Sequence, residues 1–230
     1  MKTVGLIGGM SWESTTAYYQ LLNRGIQQRL GGLHSAKILM ASVDFHEFET
    51  MMRDDRWDDI GRQLAVISTK LELGGADLVL LCTNTIHKVA DEIEAVLTVP
   101  FLHLIDATGQ VIVARGIERV GLLGTSFTME EEFYRGRLEQ KHGLSVLVPA
   151  RDDRKLVNRV IFEELCCGKF GDKSAADYLR IIDQLEKDGA EGVILGCTEI
   201  GMLIRQEQTS LPLFDTTRIH VDAAIEAMLA

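Results

Sequence analysis

The sequence predicts an α/β fold of two similar parallel-sheet, three-layer domains related by pseudo-symmetry. Two observations lead to this prediction. Short apolar runs, several ending in Gly, alternate with longer helical patterns along the 230 residues, which is the pattern of parallel sheets with crossover helices. Blocks of sequence also recur in the same order in the two halves of the chain, which indicates a duplicated unit.

The repeat is defined by three pairs of segments. Each pair shares a short apolar run and the residues that follow it: 4–9 with 120–125, 75–84 with 189–199, and 100–108 with 212–217. The spacing agrees, because Val4 and Cys82 are 78 positions apart and Val120 and Cys197 are 77 apart. Three matching blocks at nearly one separation predict two halves with the same order of strands.

The helices follow from caps and glycines. Ser11 is expected to cap a helix from about Trp12 to Leu30, which the glycines at 31 and 32 would end. Further helical segments are expected at 58–73, 85–97, 128–142, 152–167, 175–188 and 217–229. The strand before the final helix resembles the strand ending at Asp106, so we expect that helix to pack on the first half. The expected domains are therefore 1–106 plus 212–230, and 107–211.

Composition and charge exclude several function classes. The 24 basic and 34 acidic residues give a net charge of −10, and no basic run is present, so nucleic-acid binding is not expected. No apolar stretch has the length of a membrane span and no signal peptide is recognised, so no membrane association is expected. No zinc-spaced Cys pair or i,i+4 His pair occurs, so no metal is expected. The four cysteines are expected to be free thiols in a reducing cytoplasm.

Two of the cysteines stand in matching contexts. Cys82 and Cys197 each follow an apolar strand, and each is followed by Thr and a polar residue, Thr83-Asn84 and Thr198-Glu199. Ligands of parallel sheets bind beyond the carboxyl ends of the strands, so the active site is expected there, in the cleft between the domains. A position at a helix start lowers a thiol pKa, so both thiols are expected to react faster than Cys166 and Cys167, which are interpreted as helix packing.

A symmetric pair of thiols suits racemisation. The reaction removes an α-proton from one face of a carbon and returns a proton to the other, so it needs one base and one acid with exchangeable roles. A strand-end Cys is by itself more often a small buried apolar residue. The repeated context favours the reactive interpretation for Cys82 and Cys197. Without a cofactor, the α-carboxylate must accept charge, and Asn84, Thr85 and Thr198 are candidate donors.

Other candidates have weaker signals. Glu199 alone is typical of a solvated helix-start charge, although it could meet a substrate ammonium or tune Cys197. Met52 is typical of a core residue, although it could border the cleft. Asn84 and Thr85 could simply cap a helix. His87 lies five positions after Cys82, and a role beside that thiol is the less favoured interpretation.

These residues resemble those of the Asp/Glu racemase superfamily. The Cys-Thr pairs carry the resemblance, and residues 8–15, GGMSWEST, resemble its aspartate racemase branch. The likeness runs over the whole chain. It implies a two-domain fold, no pyridoxal phosphate or other cofactor, an amino-acid substrate and a homodimer. By matching positions it implies catalytic roles for Cys82 and Cys197, and it implies that five residues line the substrate site: Met10, Asn84, Thr85, Thr125 and Thr198.

Departures from the family pattern keep alternatives open. Cell-wall glutamate racemases carry Asp-Ser in the first Gly turn and His after the second Cys-Thr, whereas Met10-Ser11 and Glu199 stand here. Glu163 and Glu164 stand where some relatives have a basic residue, so strict aspartate specificity is not expected. The alternatives are a racemase of other amino acids, a maleate-type isomerase with one nucleophilic Cys, and a two-domain amino-acid-binding module without turnover.

Overall fold

Two four-stranded parallel sheets organise the chain, and the computed structural model describes all of residues 1–230. The strand order of the first sheet is β2-β1-β3-β4. Its strands are β1 (Val4–Gly8), β2 (Ile38–Ser42), β3 (Leu78–Leu81) and β4 (Phe101–Leu102). Every residue of β1 and β3 is buried, which explains why these central strands are continuous apolar runs rather than alternating ones.

The second sheet has the equivalent order, β6-β5-β7-β8. Its strands are β5 (Arg119–Gly124), β6 (Ser145–Leu147), β7 (Val193–Gly196) and β8 (Leu213–Asp215). In both sheets the first strand in sequence pairs with the second and the third, and the fourth strand lies at the edge. The predicted α/β fold with two similar parallel sheets is therefore confirmed.

The helices connect the strands as crossovers. In chain order they are α1 (Trp12–Leu30), α2 (Phe45–Arg53), α3 (Trp57–Leu73), α4 (Ala90–Glu94), α5 (Leu104–Ala114), α6 (Ser126–Glu130), α7 (Glu132–His142), α8 (Arg151–Glu163), α9 (Asp172–Lys187), α10 (Ile200–Leu203) and α11 (Thr216–Leu229). Three 3₁₀ turns accompany them, at Thr85–Val89, Leu165–Cys167 and Gln206–Gln208. None of these helices is long and apolar enough to cross a membrane.

Helix α1 has the bounds that its caps predict. The Ser11 hydroxyl accepts a hydrogen bond from the Ser14 N–H at 3.3 Å, and Gly31 ends the helix with φ of 76°. Tyr18, Leu22 and Ile26 are fully buried at four-residue intervals, so one stripe of the helix faces the first sheet.

Three helical segments are shorter than expected. The segment 85–97 is a 3₁₀ turn followed by the short α4, and 128–142 is divided into α6 and α7 because Glu131 is extended, with φ −93° and ψ 154°. Helix α8 ends at Glu163 and gives way to the 3₁₀ turn at Leu165–Cys167. The break at Glu131 has no Gly or Pro, so sequence punctuation does not reveal it.

The chain divides into two compact units. The first consists of Met1–Leu104 and His220–Ala230, and the second of Ile105–Ile219. Residues 212–219 differ from the expected division, because β8 pairs with β7 and so completes the second sheet. The last residues of α11 belong to the first unit. Val221, Ile225 and Met228 are buried there in a core cluster that includes strands β1 and β3.

Candidate active site

Cys82 directly follows β3, at the carboxyl edge of the first sheet. Its N–H donates to the Ile7 carbonyl at 2.9 Å, which continues the pairing between β1 and β3. Its own carbonyl accepts a hydrogen bond from the Ser14 hydroxyl at 3.1 Å. Neighbouring strand and helix therefore fix the backbone of this residue on both sides, and the side chain is only 1 % exposed.

His87 contacts the backbone of Thr83, the residue after Cys82 in the same turn. Its Nδ1 lies 2.7 Å from the Thr83 carbonyl, and the Leu104 N–H donates to its Nε2 over 3.3 Å. A carbonyl only accepts, so Nδ1 carries the proton and the ring is neutral. His87 thereby connects the turn after Cys82 with the start of α5. The sequence spacing places His87 near Cys82 only as the less favoured interpretation, and Ser14 stands within the GGMSWEST segment without a predicted role of its own.

The turn after β1 lies beside the turn that begins at Cys82, here called the thiol turn of the first unit, because β1 and β3 are adjacent strands. Gly9 has a φ of +97°, and a Cβ there would lie 2.3 Å from the Val43 carbonyl oxygen, so only glycine fits. The Gly9 N–H donates to the Thr15 hydroxyl at 2.8 Å. Met10 follows and is buried. The fold therefore brings Met10 and Cys82 to the same edge of the first sheet.

The remaining predicted residues of the first unit differ in their placement. Asn84 and Thr85 are buried in the turn after Cys82, and Thr83 is half-buried there. The Asn84 side chain does not cap the following 3₁₀ turn, so capping does not explain its presence. Met52 is buried in the last turn of α2, a helix that packs on α3, so its surroundings are those of a core residue.

Cys197 occupies the equivalent position in the second unit. It directly follows Gly196 at the end of β7, and Thr125 directly follows the paired Gly124 at the end of β5. The Thr125 hydroxyl caps α6 by accepting from the Thr128 N–H at 3.3 Å. The fold thus brings Thr125 to the strand end next to Cys197.

The side chains after Cys197 include a buried carboxylate. Thr198 and Glu199 are both buried, and the Cys197 thiol donates to Glu199 Oε2 across 3.0 Å. Cys197 itself is half-buried. Of the two functions that the sequence left open for Glu199, this contact favours an effect on the thiol.

The expectation of lowered thiol pKa values is wrong. Burial raises the pKa of the Cys82 thiol well above its ordinary value. The pKa of the Cys197 thiol is also raised, first by burial and then by the negative charge of Glu199, with a further contribution from Cys166. The helices that follow are a 3₁₀ turn and the four-residue α10, which are too short to supply an opposing helix dipole.

Two further residues lie in the electrostatic surroundings of Cys197. Cys166 contributes to its raised pKa, and Cys197 in turn helps to raise the pKa of Tyr178, whose largest cause is burial. The sequence predicts Cys166 to be a helix-packing residue, whereas it lies on the 3₁₀ turn at Leu165–Cys167. No repeat pairs it with another residue, so the sequence carries no signal for this proximity. No group of three or more His, Cys, Asp or Glu side chains is placed to hold a metal ion.

Comparisons with known proteins agree with this arrangement. A Yersinia pestis protein, described from its crystal structure as a candidate Asp/Glu racemase, is 50 % identical, covers 100 % of both chains and has a TM-score of 0.95. An aspartate racemase homologue from Pyrococcus horikoshii OT3 is 35 % identical, covers 100 % of both chains and has a TM-score of 0.88. The broad-specificity amino-acid racemase RacX of Bacillus subtilis is 22 % identical over 99 % of this chain and 98 % of its own length.

The family assignment follows from the length of the match. The sequence model of the Asp/Glu/hydantoin racemase family matches residues 7–224, which includes both Cys-Thr turns and nearly the whole of each unit. This chain therefore belongs to the Asp/Glu/hydantoin racemase family and is a pyridoxal-phosphate-independent amino-acid racemase, an isomerase.

Proposed function

We propose that this racemase interconverts L- and D-aspartate or glutamate by a two-base mechanism, with Cys82 and Cys197 as the acid–base pair. One observation carries the proposal. In two sheets of equivalent strand order, a cysteine stands directly after the carboxyl end of the third strand, β3 in one sheet and β7 in the other. Cys166 and Cys167 have no equivalent of this kind.

The reaction moves two protons. A thiolate takes the proton from the α-carbon, so that an S–H bond forms as the C–H bond breaks and the electron pair remains on the substrate. The second thiol then gives its proton to the opposite face of the α-carbon and becomes the thiolate. In the reverse direction the roles exchange. The mechanism requires the two thiols to reach opposite faces of one carbon.

The negative charge that develops on the substrate needs donors that are already oriented. Backbone N–H groups of the two Cys-Thr turns and the side chains of Asn84, Thr85 and Thr198 are the proposed donors. Preorganised donors of this kind contribute about 3 kcal/mol each to transition-state stabilisation. We assign Met10, Thr83 and Thr125 to the walls of the substrate site and Met52 to the border of that site. Glu199 is assigned a position beside Cys197.

The substrate assignment rests on similar proteins and on side-chain charge. Two similar proteins are named for aspartate or for both acids, and a third is named for broad specificity. Glu163 is largely exposed, with Arg159 3.7 Å away, and Glu164 accepts from the Ser174 hydroxyl at 2.6 Å. These acidic side chains offer no positive charge to a substrate side-chain carboxylate, which favours loose rather than strict discrimination.

The test is α-proton exchange in deuterated water across a panel of L- and D-amino acids. We expect exchange and inversion of aspartate or glutamate by the purified protein without added cofactor. If neutral amino acids are inverted much faster than both acids, the substrate assignment fails. If amino acids bind but none exchanges its α-proton, the chain is a binding protein and the two-base mechanism fails with it. A stable covalent adduct on one thiol would instead indicate isomerase chemistry of the maleate type.

We also propose that the enzyme acts as a homodimer in the cytoplasm. All four cysteines are free thiols in the structure, which is typical of proteins from reducing compartments. The homodimer follows the pattern implied by the family resemblance. Light scattering on the purified protein tests it, because a single species of the monomer mass would exclude the dimer.

A further inference from the structure

The two thiol turns differ at one position that the repeat pairs. In the alignment of the two halves, Asn84 stands two residues after Cys82, and Glu199 stands two residues after Cys197. Both side chains are buried. One thiol therefore has a neutral amide at this position, and the other has a carboxylate. Racemisation needs two groups with exchangeable roles, so this difference bears directly on how the roles are assigned.

The carboxylate contacts the thiol itself. Glu199 is 4 % exposed, and its Oε2 lies 3.0 Å from Cys197 Sγ. The thiol is the donor and the carboxylate oxygen the acceptor, so this hydrogen bond exists only while Cys197 keeps its proton. The hydrogen bond would be lost on ionisation of the thiol, and two negative charges would then lie about 3 Å apart in a buried site.

We propose that Glu199 is a positioning residue that holds Cys197 in its protonated form, so that Cys197 is the proton donor and Cys82 the proton acceptor of the resting enzyme. The inference rests on the proposed two-base function, which it deepens by assigning the starting roles. Burial opposes ionisation of both thiols. Glu199 is among the causes that raise the pKa of Cys197 and is not among those at Cys82, and on this difference we assign the first ionisation to Cys82.

The proton balance gives the consequence for turnover. The Cys82 thiolate takes the α-proton and becomes a thiol, while Cys197 gives its proton to the other face and becomes a thiolate. The enzyme then holds the Cys197 thiolate beside the Glu199 carboxylate. This form is restored by the reverse reaction, or by gain of a proton at Cys197 and loss of one at Cys82 through solvent. The two protonation forms of the enzyme are thus unequal in free energy, although the two thiols are related by the repeat.

Only one contact near Cys197 counters this effect: a backbone hydrogen bond from Glu199 lowers the pKa of the thiol, as the smallest of the causes. Cys166, on the 3₁₀ turn at Leu165–Cys167, also raises the pKa of Cys197. Tyr178 of α9 donates its hydroxyl proton to the Val157 carbonyl at 3.0 Å, so that proton is directed away from the thiol. None of the charged neighbours that shift the pKa of Cys197 is a cation.

The experiment measures the ionisation of each thiol without turnover. The full-length protein is treated with iodoacetamide across a pH series, and peptide mapping gives the alkylation rate at Cys82 and at Cys197 separately. Because only the thiolate reacts, each pH profile reports one thiol pKa. With Glu199→Gln, we expect the Cys197 profile to move to lower pH, with about a tenfold faster rate for each unit that its pKa falls. The Cys82 profile should not move.

The repeat supplies a matched control. Asn84→Asp places a carboxylate two residues after Cys82 and should move the Cys82 profile to higher pH, with Cys197 unaffected. Glu199→Asp keeps the charge and should leave the Cys197 alkylation profile at high pH. This variant separates the effect of charge from that of altered packing. An unchanged or higher Cys197 profile in Glu199→Gln overturns the proposal. So does an equal shift at both cysteines, since that would indicate a general change in structure.

Turnover provides a second readout. The two enantiomers have equal free energies, so kcat/KM stays equal in the two directions for every variant. The individual kcat values are free to differ, and Glu199→Gln should change their ratio. If the protein does not racemise any amino acid, the proposed function fails, while the alkylation profiles still test the Glu199 effect. An unshifted Cys197 profile in an active racemase would overturn this inference alone.

Discussion

At the scale of the residue, the two candidate catalytic thiols are ionised with difficulty. Cys82 is desolvated on all sides, and Cys197 is partly desolvated with Glu199 in contact. A thiol with a raised pKa is a poor nucleophile at neutral pH but a strong base once it is ionised. That combination suits removal of a weakly acidic α-proton better than it suits covalent catalysis, and it favours racemisation over a nucleophilic mechanism.

The first prediction concerns pH. Both thiol pKa values are raised, so the thiolate form grows as pH rises through and beyond the ordinary thiol range, and iodoacetamide inactivation should be slow at pH 7 and rise by about tenfold per pH unit in that range. The exposed Cys167 should be labelled first, without loss of activity. Rapid inactivation at pH 7 that tracks labelling of Cys82 or Cys197 would contradict the raised pKa values.

The second prediction separates the two bases. Cys82→Ser and Cys197→Ser should each lose racemisation by several orders of magnitude, because a hydroxyl does not replace a thiol as acid or base. The remaining thiol still serves one enantiomer, so each variant should slowly exchange the α-proton of one enantiomer, with opposite preferences in the two variants. NMR of pure L- and D-aspartate in deuterated water measures this. A shared preference would exclude action on opposite faces.

At the scale of the element, the strand-end turns depend on contacts from elsewhere in the chain. The turn after β3 is held by Ser14 from α1 and by His87 from its own 3₁₀ turn. The Ser14 contact does not follow from local sequence, since it requires α1 to lie beside the end of β3, whereas His87 and Thr83 are only four residues apart. The sequence predicts where each thiol stands, because strand and glycine patterns are local. The pKa direction arises from burial and from the Cys197–Glu199 contact, and those depend on side-chain packing.

The third prediction tests the His87 turn. His87→Leu removes the donor to the Thr83 carbonyl and the acceptor for the Leu104 N–H, and an unpaired buried backbone group costs about 1–3 kcal/mol. Displacement of the turn that contains Cys82 should lower kcat by about 10-fold to 100-fold, because a small misplacement of a catalytic group strongly reduces the rate. His87→Asn, whose amide can replace Nδ1 as the donor, should recover part of the kcat.

Steady-state kinetics and urea unfolding on the same preparations measure both effects. Equal kcat values for His87→Leu and the parent would show that His87 does not position Cys82. A lowered stability with unchanged kcat would make its role purely structural.

The fourth prediction concerns the packing of α11. His220 donates from Nε2 to the Leu102 carbonyl at 2.7 Å and accepts from the Tyr18 hydroxyl at 2.9 Å on Nδ1, so the buried ring is neutral. Burial lowers its pKa from 6.5 to about 4. Between these values the unfolded state binds a proton that the folded state does not. The stabilisation from the neutral ring is therefore complete above about pH 6.5 and decreases as pH falls towards 4, by about 3 kcal/mol at most.

Urea unfolding of the parent and of His220→Gln at several pH values between 4 and 7 measures this contribution. The free energy of unfolding should fall more steeply with acidification in the parent than in His220→Gln. The comparison isolates His220 from the acidic residues that titrate over the same range. Parallel curves would mean that His220 is not buried in its neutral form.

At the scale of the whole molecule, the repeat explains most of what the sequence predicts. It indicates two sheets of one strand order and places Cys82 and Cys197 at equivalent positions. It misplaces residues 212–219. Strands β4 and β8 are similar in sequence and both lie at a sheet edge, but the similarity does not say which sheet β8 completes. The pairing of Val193 with Leu213 decides that question, and a contact between distant strands has no local signature.

The last prediction tests the discontinuous first unit. Val221, Ile225 and Met228 of α11 are buried in the core formed with residues such as Val4 and Tyr18. Each such side chain contributes about 1.5–3 kcal/mol of burial, so together they are comparable with the stability of a small domain. A fragment of residues 1–104 should therefore fail to unfold cooperatively in urea.

The Lys2 N–H donates to the Met228 carbonyl at 2.8 Å, so the two chain ends lie together. A permuted fragment, with 220–230 joined by a short Gly-Ser linker to 1–104, should restore a cooperative transition and the near-ultraviolet circular dichroism of packed aromatic residues. If 1–104 alone unfolds as cooperatively as the permuted fragment, the C-terminal segment is dispensable to the first unit.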